Sequence, residues 1–117
     1  MKFSVTKVDD VAVFEMKGDM WGGPDTYELI DEAKAQLGKE ERKFLVDLKK
    51  TKRVNSCGIG VLIHMYTSVK NAGGEFKLCE VTGKARTAMV VTGVLQVFDS
   101  HETREEALRA FAVPAAS

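Results

Sequence analysis

The chain has 117 residues, 44% of them hydrophobic and 29% charged, which is enough to build one domain with its own core and excludes a disordered polypeptide. Seventeen Lys and Arg balance seventeen Asp and Glu, so no overall field draws the protein onto nucleic acid or an anionic membrane. No apolar run approaches the roughly eighteen residues of a membrane span, and the opening MKFSVTKVDD lacks the apolar core of a signal peptide, so the expected compartment is the cytoplasm.

Phe3 to Lys7 alternates in polarity, Asp9-Asp10 supplies a turn, and Val11 to Met16 alternates again, which predicts a hairpin ended by Gly18. The loop GDMWGGPD follows, and Pro24, with no N–H to lose, suits the first position of a helix running to about Leu37. Tyr27, Ile30, Ala33 and Leu37 form its expected inward face, and Gly38 its end. Phe44 to Leu48 is nearly all apolar, as in a strand buried on both faces of a parallel sheet. After a polar turn from Lys49 to Arg53, Ile59, Leu62, Ile63, Tyr66 and Val69 recur at helical spacing until Gly73 and Gly74. Glu75 to Val81 reads as the next strand. Thr82 can cap a short helix from about Lys84 to Thr92, with Ala85, Met89 and Val90 inward and Gly93 closing it. Leu95 to Phe98 is a brief strand candidate. Thr103 followed by Glu106 is a capping-box pattern opening a last helix, with Ala107, Leu108 and Phe111 inward. The order β-β-α-β-α-β-α-β-α predicts an α/β fold, a mixed and mostly parallel sheet with helices packed against it.

Chemistry concentrates at Asn55-Ser56-Cys57-Gly58, where the strand-exit loop meets a helix. A side-chain oxygen there can accept from an orphan N–H of the first turn, so Asn55 or Ser56 reads as an N-cap. The same free N–H groups and positive dipole end also seat a phosphate, which makes Ser56 a candidate phosphoacceptor. Trp21, the single tryptophan, lies in a loop before a helix and either anchors a partner or folds back over the core. The basic run Lys49, Lys50, Lys52 and Arg53 is either a solvated turn or a contact for acidic groups. Cys57 and Cys79 show neither Cys-x-x-Cys nor zinc spacing and read as free thiols, Cys79 in the core. A nucleophilic Ser56 or Cys57 would need an adjacent base. The two histidines, His64 and His101, are not expected beside either, so no catalysis, metal or cofactor is predicted. No phosphate-cradling glycine loop is present: GDMWGG and NSCGIG match neither the nucleotide nor the dinucleotide pattern.

The stretch DLKKTKRVNSCGIGVLIHMYTSVKNAGGEFKLCEV resembles the core of STAS domains, specifically the bacterial anti-sigma factor antagonists. In that family a strand ending in Asp-Leu leads through a short loop to Asp-Ser-Ser/Thr-Gly-Leu-Gly, then a helix, Ala-Gly-Gly and the next strand. The likeness continues through TGVLQVFDSHETREEAL and includes the Gly18-Asp19 exit, so it covers nearly the whole chain. It implies one STAS domain over residues 1–113 with a tail at 114–117.

The resemblance further implies a switch protein without catalysis of its own. A partner anti-sigma factor that is also a serine kinase would phosphorylate Ser56, the phosphorylated form would release that partner, and a phosphatase would reset it. Trp21, Arg53, Asn55, Ser56, Cys57, Gly58 and Gly60 would form the partner surface. The sequence departs from the family at Asn55, where an aspartate is usual, at Cys57, where a second hydroxyl is usual, and at Trp21, near another usual aspartate. These departures fit an alternative: a STAS scaffold that is never phosphorylated and assembles with itself or with other regulatory proteins.

Overall fold

Val11 to Lys17 and Lys43 to Lys50 are both rich in apolar residues, and they pair near the centre of the sheet. The computed structural model describes residues 2–112. Among these, strands β1 (Lys2–Val8), β2 (Val11–Lys17), β3 (Lys43–Lys50), β4 (Glu75–Cys79) and β5 (Asp99–His101) form one sheet in the order β1-β2-β3-β4-β5. Only the β1·β2 hairpin is antiparallel; the other neighbours are parallel. Helices α1 (Pro24–Gly38), α2 (Ser56–Asn71), α3 (Gly83–Val91) and α4 (Arg104–Ala112) complete the β-β-α-β-α-β-α-β-α order.

The period of two along β3 divides the core. Phe44, Val46 and Leu48 face a large cluster with residues of α1, α2 and α3, while Leu45 faces a smaller one with Cys79 and with Ala107 and Phe111 of α4. Helices therefore cover both faces, and residues 44–48 are all buried, as their composition requires. Pro24 stands in the first turn of α1. At the end of α2, Gly73 takes φ +81, its N–H donates to Lys70 O and that of Gly74 donates to Val69 O, a Schellman closure.

Several expectations shift by a residue or a turn. The inward face of α1 is Thr26, Leu29 and, as expected, Ala33, with Leu37 half-buried against the same core, whereas Tyr27 is 68% exposed and Ile30 is half-buried. Buried at this position, the Thr26 hydroxyl is satisfied by donating to Gly23 O. On α2, Met65 is buried in place of Ile63, and Tyr66 is half-buried, edge-on to Phe76 and Phe98. Leu95 to Phe98 is not a strand: Val94–Gln96 is a 3-10 turn, Phe98 enters the core, and the polar Asp99–His101 forms β5. A short edge strand pairs through its backbone, so its side chains need not be apolar. Thr82 occupies the N-cap position of α3 without a side-chain bond; the Ala85 N–H goes to Lys52 O at 3.0 Å instead. Val90 is exposed, and Gly38 ends α1 while Glu40 takes the left-handed conformation. The tail expected at 114–117 lies outside the described residues.

Candidate functional site

Two loops leave the carboxyl ends of the neighbouring strands β2 and β3 and run side by side to the tip of α2. Their backbones are stitched together. Gly18 N donates to Lys50 O at 3.0 Å, Met20 N to Arg53 O at 3.0 Å, and Asn55 N to Met20 O at 3.1 Å, with Met20 and Val54 forming a parallel bridge. The Asp19 carboxylate accepts from Arg53 N at 3.1 Å. Met20 and Val54 are buried, so the crossing of the loops is a small extension of the core.

Asn55, not Ser56, is the N-cap of α2: its Oδ1 accepts from Gly58 N at 2.9 Å. The other end of the same amide donates to Trp21 O at 2.8 Å. Ser56 is thereby the first residue of the helix, exposed, with no partner for its hydroxyl among the described residues. Cys57 is exposed beside it. A Cβ on Gly22, which takes φ +88, would meet Cys57 Cβ at 2.6 Å, so the Trp21 loop lies directly on the first turn of α2. Gly58 is buried, and a Cβ there would come within 2.5 Å of Met20 O. Gly60 is exposed with open space beside it. Trp21 is 51% exposed and Arg53 is exposed, so Trp21, Arg53, Asn55, Ser56, Cys57 and Gly60 share one edge while Gly58 works beneath it. A shallow depression of about 310 Å³ between α1 and α2 adjoins this edge, lined by Gly22, Thr26, Tyr27, Cys57, Gly60 and His64 among others.

The edge is basic. Lys49, Lys52 and Arg53 are exposed, and among the described residues Lys50 is the one cation of the run with a carboxylate partner, Glu15 at 3.1 Å. That pair belongs to a network invisible in the sequence reading. Arg104, at the start of α4, donates from Nε to Asp47 Oδ2 at 2.7 Å and from a terminal nitrogen to Glu15 Oε2 at 2.8 Å. Asp47 is only 3% exposed, and its other oxygen accepts from Lys49 N at 2.9 Å. Lys50 first, and then Arg104, hold the Glu15 carboxyl below the ordinary glutamate range. A cleft of about 540 Å³ lies above this network, and the paired Glu15, Asp47, Lys50 and Arg104 in its lining brace the strand ends that launch the two loops. An aspartate inside an apolar strand was the available signal, because a buried carboxylate needs a partner.

Neither Ser56 nor Cys57 shares a hydrogen bond or ion pair with a histidine among the described residues, although His64 lines the same depression as Cys57. Burial pushes the Cys79 thiol up to about 12, keeping it protonated inside the core. Among the described residues no three His, Cys, Asp or Glu side chains gather as a metal site, and no helix is long and apolar enough to cross a membrane.

A family model described as the STAS domain matches residues 2–107. The chain is 28% identical over 111 residues to the Bordetella bronchiseptica protein named "Putative anti-sigma factor antagonist BtrV", covering 95% of each. It is similar in structure to an anti-sigma factor antagonist from Mycobacterium paratuberculosis, with a TM-score of 0.79, 22% identity and coverage of 93% of this chain and 92% of that one. It is also similar to the anti-sigma factor antagonist SpoIIAA in its unphosphorylated form, with a TM-score of 0.76, 13% identity and coverage of 97% and 100%. The phosphorylated form of SpoIIAA, from Bacillus, matches at a TM-score of 0.73 and 13% identity, over 94% of this chain and 99% of that one.

Proposed function

The chain belongs to the STAS domain family, and from that premise we propose that it is an anti-sigma factor antagonist switched by phosphorylation of Ser56. The observation that carries this reading is the setting of Ser56: an exposed hydroxyl, unpartnered among the described residues, on the first residue of α2, flanked by an exposed tryptophan on a tightly stitched edge. Relatives named as antagonists support it, and so does a structural relative known in both unphosphorylated and phosphorylated forms.

The protein acts in the cytoplasm as a binding module, not as an enzyme. Its unmodified α2 edge docks an anti-sigma factor that is also a serine kinase, and that kinase transfers a phosphoryl group to Ser56. The phosphate adds about −1.5 to −2 charges at neutral pH. It arrives beside Lys52 and Arg53, where the free N–H groups of the helix tip accept it. An edge that presented cations to an acidic partner then presents a neutral or negative face, and the partner leaves. A phosphatase restores the first state.

A second reading has its own support: with Asn55 and Cys57 flanking Ser56, the helix tip offers neither the usual carboxylate nor a second hydroxyl. There the protein is a constitutive adaptor that binds itself or other STAS proteins through the same edge. Calorimetric titration with a serine-kinase anti-sigma factor from the same organism separates the two. The switch requires Ser56→Ala to bind without being modified and Ser56→Glu to bind at least tenfold more weakly, about 1.4 kcal/mol. Equal binding of both variants would favour the adaptor.

A further inference from the structure

We propose that Asn55 is a positioning residue whose side-chain amide fixes Trp21 as a preformed anchor beside Ser56, a task that an aspartate at this position cannot perform. The proposal rests on the reading of the α2 edge as the docking face. Its basis is the two-ended use of one amide: Oδ1 accepts from Gly58 N at 2.9 Å while Nδ2 donates to Trp21 O at 2.8 Å. An ionised carboxylate has acceptors only. It would keep the cap to Gly58 and turn a second oxygen toward the Trp21 carbonyl, replacing attraction with repulsion.

The Trp21 loop depends on that donor. Backbone stitching between the two loops ends with Asn55 N to Met20 O. Beyond Met20, among the described residues, the Asn55 amide is the one hydrogen bond from residues 21–23 to α2. The remaining holds are the close seating of Gly22 on Cys57 and, on the α1 side, Gly23 O, which accepts from Thr26 N and Thr26 Oγ1. Held at these points, the Trp21 backbone is fixed next to the N-cap of α2, and a half-exposed indole projects from it. A partner then does not bear the cost of ordering it, which is how preorganisation raises affinity. The complementary partner surface is an apolar pocket rimmed by carboxylates, the first to take the indole and the second to meet Lys52 and Arg53.

Trp21 is the single tryptophan, so its fluorescence and backbone relaxation report this loop directly. In Asn55→Asp, the Gly58 amide resonance keeps its capped position and the fold is retained. The order parameters of residues 21–23, however, fall from near 0.85 to below about 0.6, and acrylamide quenching of Trp21 rises. Asn55→Ser, which retains a cap oxygen on a shorter side chain, gives the same pattern, while Asn55→Ala loses the Gly58 cap as well. Unchanged order and quenching in both the Asp and Ser variants would overturn the proposal. These readouts need no partner, so they stand apart from the phosphorylation reading. Loop order lost with undiminished affinity for the serine-kinase partner would overturn the anchor and leave the switch intact.

Discussion

Gly58 and Met20 approach so closely that a Cβ on the glycine would stand 2.5 Å from the methionine carbonyl oxygen and 2.8 Å from its Cβ. That contact seats the first turn of α2 against the loop from β2. Gly58→Ala therefore overpacks a buried backbone junction, and the expected cost is roughly 1–3 kcal/mol. Urea denaturation measures it, and the Trp21 emission maximum should shift with it as the loop is displaced.

Gly60 is the control two residues along. Nothing lies within 4 Å of a Cβ built there, and the position is inside α2. Gly60→Ala is expected to raise stability by roughly 0.5–1 kcal/mol through reduced freedom of the unfolded chain. If the exposed edge docks a partner, the added methyl group should weaken binding even as the melting temperature climbs.

The Arg104–Asp47 pair supports the same edge from beneath. Arg104→Ala leaves a nearly buried carboxylate with a single backbone donor, and a loss of roughly 2–3 kcal/mol is expected. Arg104→Lys should recover only part of it, since an ammonium cannot reproduce the fork that reaches both Asp47 and Glu15. Equal stability of all three proteins in denaturant would remove the network from the account.

Glu15 makes part of this support dependent on acidity. Its folded pKa is depressed from the ordinary value of 4.5 by Lys50 and then Arg104. The charged form is therefore favoured in the fold, and the contribution is fully present above the unfolded value. It disappears as pH falls through the depressed folded value. The difference in melting temperature between the wild type and Glu15→Gln should be full at neutral pH and close progressively below about 4.5.

The order of the elements was legible because periodicity, Pro24 and the glycines at Gly73 and Gly93 act over a few residues. The candidate edge was legible for the same reason: cap and helix tip are local. The rotation of α1 was not, since Tyr27 and Leu29 are both apolar and the choice between them is made by packing against the sheet and α2. β5 was misplaced because Phe98 left the strand for a cluster with Tyr66 and Phe76, contacts between distant segments. The Asp47–Arg104 pair joins residues 57 positions apart, and no local pattern encodes it. Asn55 was recognised as a cap, but its second bond reaches back 34 residues to Trp21, and that bond distinguishes it from an aspartate.

Phosphorylation of Ser56 is the step on which the proposed switch turns. Its most direct test is intact-mass measurement of the protein isolated from its native cells, before and after phosphatase treatment, with fragmentation to place any modification. The account predicts a fraction heavier by one phosphoryl group, located on Ser56 and removed by the phosphatase. An unmodified Ser56 through growth and stress, in cells where the protein is bound to its serine kinase, would contradict it.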